Sequence, residues 1–105
     1  MDKTFIENLK IIENQILWLS HWIIHYANNV RPNNDETKVG GHQASSASIV
    51  SIMTALYFGI LKPNDRVAVK PHASPVFHAI QYIMGNQTLE KLKNFRNFNG
   101  AQSYP

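Results

Sequence analysis

Apolar residues return at three- and four-residue steps from Phe5 to Ile24: Phe5, Ile6, Leu9, Ile12, Ile16, Leu17, Leu19, Ile23 and Ile24. That period places them on one side of a helix and predicts a long amphipathic helix over residues 4–29. Asp2 or Thr4 is suited to cap its start. Trp18 and Trp22 are four apart and share a face, which reads as core or as an interface. His21 and His25 are also four apart, a spacing able to chelate a metal. No third ligand or nearby carboxylate joins them in the sequence, so the pair reads as a solvated or boundary face and no metal ligand is assigned.

The 105 residues suffice for one small domain with a modest core. Hydrophobic residues make up 44% and charged residues 16%, a globular composition. There are no cysteines, which excludes disulfides and thiolate sites. The net charge of +3 comes from scattered Lys and Arg, which argues against nucleic acid as a partner. No secretory signal is visible at the start, and no apolar run approaches the roughly 20 residues of a membrane span. The expectation is a cytoplasmic protein with no membrane partner.

After the first helix, residues 28–37 are dense in Asn and Asp around Pro32 and read as a loop. Residues 1–30 are thus a leading helix, and residues 38–105 carry the motifs. Gly40-Gly41-His42 comes next and runs through Ser45, Ser46 and Ser48 into an apolar helical pattern. Glycines let backbone approach a ligand closely, a helix start offers unpaired amides to an anion, and His42 can donate or move a proton. The helix is predicted over 44–60, with Ile49, Ile52, Met53, Leu56 and Ile60 on its buried side. Ser45 or Ser46 either caps that helix or touches a ligand; both readings stand at this point.

Val67-Ala68-Val69, between Arg66 and Lys70, reads as one short buried strand. A strand needs a neighbour, and no other segment supplies one. The fold class expected is therefore α/β: mostly helical, with one strand belonging to a parallel sheet whose remaining strands lie elsewhere. Ligands of such sheets sit beyond the strands' carboxyl ends, which is where His72 and Ser74 fall. Pro75 suits the first turn of a helix running from Val76 to Met84 and stopping at Gly85-Asn86, with His78 structural or at the surface. Thr88 is expected to cap a short helix ahead of the breaks at Asn97, Asn99 and Gly100.

In order along the chain, Gly40-Gly-His-Gln-Ala-Ser45, His72-Ala-Ser-Pro75, Leu89-Glu-Lys-Leu-Lys-Asn-Phe-Arg96 and Ser103-Tyr-Pro105 resemble the start of a thiamine-diphosphate-dependent enzyme. The closest likeness is to the homodimeric-type pyruvate dehydrogenase; transketolase is a more distant one. The likeness covers residues 38–105. It implies that His42 and His72 are catalytic, and that Gly41, His42, Ser45, Lys70 and His72 meet the cofactor. Lys70 departs from the pattern, because the pyruvate dehydrogenases carry Gln two residues before that histidine; here a cation is offered to a diphosphate or a substrate anion. Pro71 likewise replaces a glycine. The likeness further implies thiamine diphosphate, Mg2+ with its ligands outside this chain, a homodimer, and a small 2-oxo acid or ketose as substrate. The chain is then an N-terminal fragment, inactive alone and completed by the remainder of a parent enzyme. The rival expectations are a non-catalytic helical interaction module built on Trp18 and Trp22 and, more weakly, a basic nucleic-acid-binding domain.

Overall fold

The computed structural model describes residues 2–30, 40 and 43–104. Helix α1 spans Lys3–His25 and continues as a π-helical turn, Tyr26–Val30. Asp2 caps it: the carboxylate accepts the Thr4 N–H at 2.7 Å, which satisfies one of the open first-turn amides. The helix predicted over 4–29 is present. Its buried stripe is Ile16, Leu19, Ile23 and Ile24. Ser20 lies in that stripe at little cost, because its hydroxyl donates to the Ile16 carbonyl at 2.8 Å. No residue of α1 before Ile16 is fully buried, and Ile6 and Leu17 are exposed. The first turns of α1 thus run beyond the core, and the protein is drawn out to 50 × 25 × 21 Å.

The helix predicted over 44–60 is divided. Helix α2 spans Gln43–Ala47, a turn occupies Ser48 and Ile49, and α3 spans Val50–Ala55 before a π-helical turn at Leu56–Ile60. The Ser48 hydroxyl donates to the Ser45 carbonyl at 3.0 Å, and the Ile49 amide turns to Ser46. Serine competes in this way with the regular ladder. The break and the wider final turn shift the helical phase. Val50, Met53 and Thr54 therefore face inward, while Ile52 is 59% exposed and Ile60 60% exposed. The inward side expected from Ile52 and Ile60 is corrected accordingly, whereas Ile49 is half-buried and packs against the core as expected.

A 3₁₀ turn at Pro71–Ala73 leads into α4, Ser74–Ile83, with Pro75 in its first turn. Val76, Ala79 and Ile80 are its core positions. It stops where Gly85 takes φ +87°, a conformation open to glycine. Helix α5, Leu89–Lys93, is capped by the Thr88 hydroxyl, which accepts the Lys91 N–H at 3.2 Å. Arg96 and Asn99 then adopt left-handed backbone and fold the chain back, so that the Ala101 amide reaches the Lys91 carbonyl. The core is α1 against α4, with Val50 and Met53 of α3 alongside, closed by Leu92, Phe95 and Ala101.

The α/β expectation is overturned. Among the described residues 67% are helical, and no strand or sheet is present. Val67 and Ala68 are exposed, Val69 is half-buried, and the three make no backbone hydrogen bond to a described partner. Alternating β-branched residues favour extended backbone, yet a ladder forms only with a neighbouring segment. No helix is long and apolar enough to cross a membrane among the described residues.

Candidate functional site

Two of the residues singled out from the sequence, Gly41 and His42, lie outside the described residues. The flanking positions are informative. Gly40 is buried, and its amide donates to the Asn28 side-chain oxygen at 2.6 Å. A Cβ at Gly40 would stand 2.7 Å from the Ile24 carbonyl oxygen and 3.0 Å from the Ala27 methyl. The absent side chain lets this segment press against the end of α1, so Gly40 serves packing rather than the approach to a ligand. On the other flank, the Gln43 side-chain amide donates to the His21 carbonyl at 3.0 Å, tying the start of α2 to α1. Helix α2 has only five residues, so its dipole is far weaker than that of the continuous helix expected there.

The second motif stands on the 3₁₀ turn. Lys70 and His72 are both exposed. The turn that presents them is held from three sides. The Ser46 hydroxyl donates to the His72 carbonyl at 3.2 Å, across 26 residues of sequence. The Ser74 hydroxyl donates to the Pro71 carbonyl at 2.7 Å, and an Arg96 guanidinium N–H reaches the same oxygen at 3.2 Å. Arg96 also lies over the Phe95 ring, 5.0 Å from its centroid. Helix α2 and the 70–73 turn are therefore neighbours. Ser45 is half-buried, and no hydrogen bond links its hydroxyl to His72 or Lys70. Ser74 is fully buried and committed to Pro71, which corrects its placement beside His72 as a group free for function.

Ser46 and Arg96 are the residues that sequence reasoning underrated. Ser46 was one of two equivalent serines, and only the fold distinguishes the buried one. Arg96 closed a resembling stretch, but its reach to Pro71 depends on left-handed backbone that the sequence does not mark. His78, read as structural or surface, is buried with 4% exposure, which leaves the structural reading. Its Nε2–H donates to the Gln102 carbonyl at 2.7 Å, and Nδ1 accepts from the Gln87 amide at 3.2 Å. Burial holds this imidazole below the usual histidine range, against the raising effect of the Gln102 carbonyl.

Two depressions flank the exposed Trp18. One, of about 530 Å³, lies between α1 and α2 and is lined by Leu17, Trp18, His21, Gln43, Ala44 and Ser46 among others. The other, about 480 Å³, lies between α1 and the end of α4, with Tyr82 and Ile83. A third, about 260 Å³, holds Lys70 with Val67, Val69, Phe77 and Tyr104. Among the described residues no three His, Asp or Glu side chains gather closely enough to hold a metal ion. No protein-family model, curated protein or solved structure matches the chain.

Proposed function

We propose that the chain is the leading part of a thiamine-diphosphate-dependent enzyme of the transketolase or 2-oxo-acid dehydrogenase kind. In this reading the rest of the parent enzyme, a second subunit and Mg2+ held outside this chain complete the site. What supports it is the 3.2 Å bond from the Ser46 hydroxyl to the His72 carbonyl, which joins the residue directly after the first resembling motif to the turn that carries the second. The donors present suit an anionic tail: an ammonium at Lys70 and an imidazole at His72, both exposed on a turn held by Ser46, Ser74 and Arg96. The cofactor, when bound, supplies the electron sink for decarboxylation or ketol transfer. The roles left to this chain are to hold the diphosphate through Gly41, Ser45 and Lys70, and to hold or move protons through His42 and His72.

The test is made in the parent enzyme. His42→Ala and His72→Ala are each expected to lower kcat by about 10²-fold or more, with the helical circular-dichroism signal retained. Unchanged kinetics in both variants overturn the reading. In the resembling enzymes a Gly-Asp-Gly motif helps hold the metal, and the remainder of the parent enzyme proposed here is expected to carry one.

A second reading, the helical interaction module, is favoured by Trp18, which is 66% exposed between two apolar depressions. It separates cleanly from the first. An interaction module tolerates both histidine substitutions and loses association with Trp18→Ala.

A further inference from the structure

His21 and His25 stand one turn apart on the exposed side of α1, with His21 also lining the depression shared with Gln43, Ala44 and Ser46. Their rings lie within 4° of parallel, with centroids 6.3 Å apart. The opposite side of the same turns, Ser20, Ile23 and Ile24, is fully buried, so the backbone carrying the pair is held in place. We propose that His21 and His25 form a two-histidine chelate for a late first-row divalent ion of the Cu2+, Ni2+ or Zn2+ class, with water in the remaining positions.

The donor set decides the class. Imidazole suits these ions, whereas Mg2+ and Ca2+ require oxygen ligands. The positions one turn before and after the pair are Leu17, Trp18, Asn28 and Asn29, so no carboxylate stands in reach along the helix.

Calorimetric titration of the full chain with CuCl2, NiCl2 and ZnCl2 tests the site. One equivalent is expected, with Cu2+ bound most tightly. His21→Ala and His25→Ala are each expected to weaken binding by about tenfold or more, with the helical signal unchanged. The double variant Leu17→His/His25→Ala again sets two histidines four apart, at 17 and 21, and is expected to regain the ion. Wild-type affinity in either single variant, which would put the ion on another histidine, overturns the proposal. So does a folded Leu17→His/His25→Ala chain that fails to bind.

Discussion

At Gly40 a hydrogen atom does what no side chain can, because the Ile24 carbonyl, the Ala27 methyl and the Asn28 amide oxygen all crowd the place a Cβ would take. The 2.7 Å approach is to backbone, which cannot swing aside. Gly40→Ala is expected to cost about 1–3 kcal/mol, read as a lower denaturation midpoint with an unchanged m-value. The sequence shows a glycine there, but the reason for it sits on a helix twelve and more residues earlier. His78 gives the second prediction at this scale. Its neutral form is favoured in the folded chain, and its ordinary value is near 6.5. The folded-state value is depressed, so this contribution to stability is complete above about pH 6.5 and is lost as pH falls below it. Protonation also puts a hydrogen on the Nδ1 that accepts from Gln87. Melting temperatures measured from pH 7 to pH 5 are expected to fall more steeply in wild type than in His78→Gln.

Among the elements, α1 was legible because its period runs unbroken, although only the structure decides for Asp2 over Thr4 as its cap. α4 and α5 were legible from their punctuation, Pro75, Gly85 and Thr88. The 43–60 stretch was legible as helix and misread in phase. Hydroxyl bonding at Ser48 and a π-helical turn rotate the inward side by amounts that spacing alone does not encode. A pair of substitutions checks the corrected phase. Met53→Ala is expected to cost about 2–5 kcal/mol, whereas Ile52→Lys is expected to change stability by no more than about 0.5 kcal/mol. Comparable losses in both variants would restore the original facing. The candidate site was legible in part: the residues of the 70–72 turn follow from motif order, but the Ser46 and Arg96 bonds that hold the turn depend on distant segments meeting.

For the whole molecule, the strand reading failed for a physical reason visible beforehand. Val67-Ala68-Val69 had no partner segment, and the folded chain leaves it extended and largely exposed. What remains is a helical body with a narrow core. A chain of this length is expected to be stable by about 5–15 kcal/mol in total. Phe95 is fully buried where the returning tail meets α4 and α5. Phe95→Ala is expected to remove about 3–5 kcal/mol, a large share of that margin, measured by urea denaturation. The open 67–69 stretch bears on handling as well. A bare row of amides and carbonyls invites the same row of another molecule to zip onto it. Arg66 and Lys70, one cation at each end and both exposed, repel such an approach. Replacing both with glutamine should make concentrated solutions cloud sooner, a solubility duty for Lys70 separate from any cofactor.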